Sequence, residues 1–200
     1  MLKLARARPS DVFYDLGCGW GQNLIIALAE FGVRKAVGIE RDRERHARAS
    51  SRLGKWGLEG LGFAVLGDFE RLLKGSLDEA DLSEATVVFY GLSTDTNLLK
   101  SIEKLAKKRS RLVYYYSCLF PEIMPDTVDF PFYVSVAPFR RTKSEYSWLA
   151  SVVQKRKSFF GKARKPDAKE LWDELEHDYD VNENWEDVAD YKRRLRKVVG

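Results

Sequence analysis

The sequence predicts an α/β fold: a mostly parallel sheet covered by helices, ending in an antiparallel hairpin and followed by a C-terminal helical extension. Three observations predict it. Short apolar runs alternate with segments of helical period. The runs are continuous rather than alternating, as expected of parallel strands buried on both faces. The composition then changes after Gln154, where a basic stretch begins.

Each element has its own signal. Val12–Leu16 is an apolar strand after the turn residues Pro9-Ser10-Asp11. Gln22–Phe31 is a helix, with Leu24, Ile25, Leu28 and Phe31 at helical spacing and Gly32 ending it. Lys35–Glu40 (KAVGIE) is the second strand, Arg41–Trp56 the second helix and Gly62–Leu66 the third strand, closing at Gly67-Asp68. Leu82–Glu84 leads into a fourth strand, Thr86–Tyr90. Asn97–Lys107 is a helix with Leu98, Ile102 and Leu105 on one face, and Arg111–Ser117 is the fifth strand. Phe132–Ala137 and Tyr146–Val153 have no helix between them, so they are expected to form the hairpin. Residues 1–154 therefore form one domain. Residues 155–200 form an extension: a linker with six basic residues and no acid over Lys155–Pro166, then two amphipathic helices. The second of these carries acids in its first turn and Lys/Arg in its last, matching the helix dipole.

Composition excludes several classes. No run of about 18 apolar residues offers a membrane span. Met1–Arg6 is too short and too charged for a signal peptide. The two cysteines, Cys18 and Cys118, and two histidines show no zinc spacing, so no metal is expected and reduced thiols fit a cytoplasmic protein. Cys18 lacks a His signature and reads as small filler. The net charge of +4 is weak grounds for an acidic partner.

The strongest constellation is Gly17-x-Gly19-x-Gly21, after a strand and before a helix. Glycine lets a ligand approach the main chain, and the helix start exposes unpaired amides with partial positive charge. Glu40 ends the next strand, about 20 residues on, where an acid accepts ribose hydroxyls. Asp68 ends the third, where a carboxylate receives an adenine amine. A nicotinamide or flavin fingerprint needs G-x-G-x-x-G, but Gln22 stands at the last glycine. Asp15 and the compact GxGxG favour S-adenosylmethionine. The bland alternative is a tight turn with no ligand.

At these residues the chain resembles the Rossmann-like class I S-adenosylmethionine-dependent methyltransferases. FYDLGCGWG (Phe13–Gly21), KAVGIE (Lys35–Glu40) and SEATVV (Ser83–Val88) resemble small archaeal protein-lysine methyltransferases, related to the non-SET histone lysine methyltransferases, over approximately residues 2–154. The resemblance implies that Asp15, Gly17, Gly19 and Gly21 surround the methionine part of the cofactor. It implies Glu40 at the ribose, Asp68 and Phe69 at the adenine, and Tyr90–Thr94 facing the methyl group. The chain departs from the pattern in three ways. Trp20 replaces the usual Asp, as an aromatic wall or as packing against the first helix. The N-terminal segment that covers the cofactor in relatives is not matched, because the chain starts inside the corresponding helix. The two C-terminal helices are additional.

The resemblance points to lysine side chains of a protein as the methyl acceptor. A lysine nucleophile must be neutral, and a desolvating aromatic channel lowers its pKa. Tyr90 is the candidate for such a wall; Tyr114–Tyr116 and Phe132–Tyr133 are weaker candidates and read as sheet core. Tyr90-Gly91-Leu92-Ser93 lacks the Asn/Asp-Pro-Pro-Tyr motif of adenine- and glutamine-nitrogen methylating enzymes. The alternative acceptor is RNA. Arg41, Arg45, Arg48 and Arg52 share one helical face, and the basic linker holds Phe159-Phe160. The competing account, a solvated face and an exposed linker, is preferred because nearby acids dilute the field. A non-catalytic cofactor-binding or scaffold protein is the third reading.

Overall fold

We describe the chain from a computed structural model, which defines residues 1–92, 96–105, 107–115, 120, 122–129 and 132–142. All lie within one compact unit, Met1–Ser151. The extension at 155–200 and the expected strand Tyr146–Val153 lie outside the described residues, as do Tyr116, Ser117 and Cys118.

The elements follow in the order β1 (Val12–Leu16), α1 (Gln22–Ala29), β2 (Lys35–Glu40), α2 (Arg43–Lys55), β3 (Gly62–Leu66), α3 (Phe69–Leu73), a 3-10 turn (Leu82–Glu84), β4 (Val87–Tyr90), α4 (Thr96–Leu105), β5 (Arg111–Tyr115), β6 (Thr127–Asp129) and β7 (Phe132–Val136). The strands form a seven-stranded sheet in the order β3-β2-β1-β4-β5-β7-β6. The five strands from β3 to β5 are mutually parallel, and β7 is antiparallel to both β5 and β6. The partner on the outer side of β7 is Thr127–Asp129, a strand too short and polar to stand out in the sequence.

Several boundaries differ from the periodicity. The second helix begins at Arg43, two residues later than expected, because Asp42 caps it, accepting from the Arg45 amide at 2.9 Å. Arg41 therefore lies outside the helix. The first helix ends at Ala29 and the fourth at Leu105. After the latter the chain turns through Arg109, whose φ is 67°. Thr86 precedes the fourth strand; its hydroxyl donates to Asp11 at 2.8 Å and accepts from the Val12 amide at 2.9 Å.

Strand order fixes which side each helix covers. From β1 the chain steps outward through β2 to β3, returns to β4 beside β1, and steps the other way to β5. Right-handed crossovers then put α1 and α2 on one face and α4 on the other. The first face is built by Phe13, Val87, Val113 and Val134 of the sheet against Leu24, Ala27 and Leu28 of α1, Leu53 of α2, and Leu2 and Ala5 of the N-terminal segment. The opposite face carries a row of tyrosines: Tyr90 pairs across to Tyr114, and Tyr114 to Tyr133.

The far end of the sheet is pinned by a buried ion pair. Arg111 reaches Asp11, which is 5% exposed, and also donates to the carbonyls of Ala5 and Arg6 at 2.8 and 2.9 Å. The cation and the carbonyl bonds together offset the cost of burying the Asp11 carboxylate. Among the described residues no helix is long and apolar enough to cross a membrane, and no side-chain cluster is suited to a metal ion.

Candidate active site

The carboxyl ends of β1, β2, β3 and β4 lie along one edge of the sheet, with Leu16 paired to Ile39 and Tyr90, and Glu40 to Leu66. The chain changes direction between β1 and β4, and this switch point is where open α/β sheets hold ligands. The glycine loop leaves β1 here, and Gly91-Leu92 leaves β4 beside it.

The loop is tied to the end of β2. The Ile39 carbonyl accepts from both the Gly17 and Cys18 amides, at 2.9 and 3.0 Å. The Glu40 carboxylate accepts from the Gly19 amide at 2.8 Å through one oxygen and from the Asp42 amide at 2.9 Å through the other. Glu40 is 7% exposed, so its charge is held by backbone donors rather than by a cation. Lone pairs remain on both oxygens for further donors. The three loop glycines have φ of 94°, 55° and 75°, a region that disfavours side chains.

These glycines do different things. A Cβ at Gly19 would meet nothing within 4 Å, so this part of the loop is an open approach to the main chain. A Cβ at Gly17 would meet the Leu92 side chain at 2.9 Å. Leu92, 47% exposed, thus lies over the loop in the crevice. A Cβ at Gly21 would meet Ala49 Cβ at 3.0 Å. Gly21 therefore lets α1 and α2 approach each other, a packing role beside the cofactor role expected of it.

Asp15 lies beneath the loop, 1% exposed, accepting from the Asn23 side-chain amide at 3.0 Å. Burial pushes its carboxyl up to about 7, the nearby Glu40 charge pushes the same way, and the Asn23 bond opposes both. Asn23 is one residue into α1, and no spacing rule in the sequence singles it out. Cys18 is buried beside Gly38, where any side chain would clash with its sulfur. Burial raises its thiol pKa, consistent with filler and not with a nucleophile.

Along the same edge, Asp68 caps α3 by accepting from the Glu70 amide at 2.9 Å, and the Gly67 amide donates to the Glu40 carbonyl at 2.9 Å. Phe69 packs edge-on against Tyr90, with ring centroids 5.7 Å apart. Tyr90 is 1% exposed and also meets Phe120 at 6.2 Å. Its ring thus belongs to an aromatic wall that continues through Tyr114 to Tyr133. The structure brings Asp15, Gly17, Gly19 and Glu40 around one crevice, with Asp68, Phe69 and Tyr90 beside it. Trp20 turns towards the second helix: the Arg48 guanidinium lies 5.9 Å from its ring, and Arg52 donates to its carbonyl at 3.3 Å.

The cradle fits an aminoacyl nucleoside carrying positive charge. Gly21 caps α1 without a side-chain bond, and the first turn holds no acid. The Gln22, Asn23 and Leu24 amides have no partner within the helix, which suits a carboxylate. Asp15 and Glu40 supply the negative charge that suits an ammonium or sulfonium group.

No protein-family model matches the chain. A protein-lysine N-methyltransferase of Saccharolobus islandicus (strain REY15A) is 40% identical over 115 residues, 56% of this chain and 66% of the relative. The chain thus spans just under two thirds of that relative's length. It spans 19% of a 30% identical relative, DEAD-box ATP-dependent RNA helicase 25 of Oryza sativa subsp. japonica. Among solved structures, an RNA methyltransferase from Salinibacter ruber in complex with S-adenosyl-L-homocysteine is 30% identical, with a TM-score of 0.60 over 72% of this chain and 91% of that one. A conserved hypothetical protein of Streptococcus pyogenes, 18% identical with a TM-score of 0.52, shares the fold. The crevice, the sheet order and these likenesses place the chain in one family: it belongs to the class I S-adenosylmethionine-dependent methyltransferases.

Proposed function

We propose that the chain transfers a methyl group from S-adenosylmethionine to the side-chain amine of a lysine in a protein. The 40% identity to a protein-lysine N-methyltransferase supports this reading of the acceptor. In it, Asp15, Glu40 and the first-turn amides of α1 hold the amino-acid and ribose parts of the cofactor, and Asp68 and Phe69 the adenine. The bound cofactor supplies an activated sulfonium methyl. The protein's task is to orient a neutral amine in line with that methyl and exclude water. Phe69, half-buried with Tyr90 packed behind it, gives the crevice an apolar flank, which disfavours the charged form of an incoming lysine. Leu92 lies over Gly17 and must yield where a ligand approaches the loop backbone.

Incubation with methyl-labelled S-adenosylmethionine and a cell extract tests the proposal. Label is expected in protein and, after hydrolysis, in methyl-lysine; label found only in RNA defeats it. That second outcome is the competing reading, favoured by the Salinibacter ruber RNA methyltransferase.

A further inference from the structure

The stretch from Arg41 to Lys55, which contains the second helix, carries six cations against two acids. Its contact with the body runs through Ala49 and Leu53, which are buried, with His46 and Trp56 half-buried on the same stripe. Positions 45, 48, 52 and 55 repeat the same spacing one residue earlier. They form a second stripe, turned about 100° around the helix and about 15 Å long. It holds Arg45, Arg48, Arg52 and Lys55. The side of α2 on which it lies is fixed by two contacts, Arg52 on the Trp20 carbonyl and Arg48 against the Trp20 ring. The stripe therefore borders the glycine loop, and Arg41 precedes the cap, directly after the end of β2.

The acids take up little of this charge. Asp42 spends an oxygen on the Arg45 amide, and Glu44 pairs with Arg48 at 3.0 Å. Among the described residues the Arg41, Arg43 and Arg45 side chains make no ion pair. Five of the six cations are arginines, whose planar forks match phosphate oxygens in pairs. A half-buried indole lies among them, the combination that binds single-stranded nucleic acid.

We infer that the α2 stripe, with Trp20, is a binding surface for single-stranded RNA, running past the rim of the cofactor crevice. The side chains of Arg45, Arg48, Arg52 and Lys55 take four phosphates, and Trp20 offers an aromatic surface to a base. This goes beyond the methyl acceptor proposed above: a lysine-methylating enzyme with this surface works on proteins held on RNA.

The test is fluorescence anisotropy of the full chain with a labelled mixed-sequence 20-nucleotide single-stranded RNA across a salt series. With four phosphates engaged, the log of the affinity is expected to fall with log salt at a slope of about −3, from about 0.7 per phosphate. The Arg45→Gln/Lys55→Gln double variant changes two exposed side chains outside the cofactor cradle. It is expected to flatten that slope by about 1.4 while leaving S-adenosylhomocysteine affinity unchanged in calorimetry. Retained cofactor binding shows that the variant is folded. RNA binding with the same slope in variant and wild type overturns the inference, and places any binding on other basic segments such as Lys155–Lys165. Absence of RNA binding at low salt overturns it too, as does competition by polyglutamate as effective as by unlabelled RNA.

Discussion

Replacing Asp15 with asparagine isolates one buried titration. The side chain keeps its shape and an oxygen for the Asn23 amide, which bonds Asp15 at 3.0 Å, but it no longer ionises. In the wild type the carboxyl moves from an ordinary value of 3.8 in the unfolded chain to about 7 in the fold, chiefly through burial. The fold thus favours the protonated form. Wild-type stability is relatively full below 3.8 and is lost as pH rises towards about 7, above which the cost is constant. A shift of about three units, at about 1.36 kcal/mol each, makes that cost about 4 kcal/mol. Between pH 5 and pH 8 the share still to be lost is about 2–3 kcal/mol. The Asp15→Asn variant escapes it, while titrating groups not coupled to Asp15 are common to both proteins and cancel. Urea unfolding of both proteins at half-unit steps from pH 5 to 8 reads the difference directly. The variant's advantage is expected to grow with pH by that amount. A difference constant to within about 0.5 kcal/mol would falsify the assignment of a raised carboxyl beneath the loop.

Further outcomes follow from the same geometry. With Asp15 as the counter-charge to the cofactor's ammonium group, S-adenosylhomocysteine affinity rises with pH by up to about tenfold per unit below about 7 and levels off above it; calorimetry giving a flat profile from pH 5.5 to 8 would remove that role. Glu40→Ala strips the Gly19 and Asp42 amides of their acceptor, and is expected to weaken the same ligand by about tenfold or more, whereas Glu40→Gln keeps an acceptor and loses less. Gly21→Ala puts a methyl 3.0 Å from Ala49 Cβ at a φ of 75°, so denaturant unfolding should show a loss of about 1–3 kcal/mol. Arg111→Met leaves the Asp11 carboxylate buried without its cation, at a cost of about 3–5 kcal/mol; adding Asp11→Asn should recover much of it, and an additive double variant would mean the two do not act as a pair.

Local signals carried most of what could be read before folding. The five parallel strands were legible because strands buried on both faces are continuous apolar runs, and Gly-x-Gly-x-Gly was legible because positive φ restricts residue choice. Glu40 was placed correctly at the end of β2, since strand length and loop length fix its position. The short strand Thr127–Asp129 left no such mark, because three residues of which only Val128 is half-buried give no period.

What the sequence determined by itself is therefore the order of elements, the glycine loop and the acids that end the strands, all consequences of short-range backbone preference and burial pattern. What only the tertiary structure decided is how those groups are used. Glu40 spends its oxygens on the Gly19 and Asp42 amides, Gly21 yields its space to Ala49, and Trp20 meets the arginines of α2. Asp15 acquires a carboxyl near neutrality through burial and the nearby Glu40 charge, against the opposing Asn23 bond. Each of these depends on residues far apart in the chain arriving at one sheet edge, and desolvation and contact distance exist only once they have arrived.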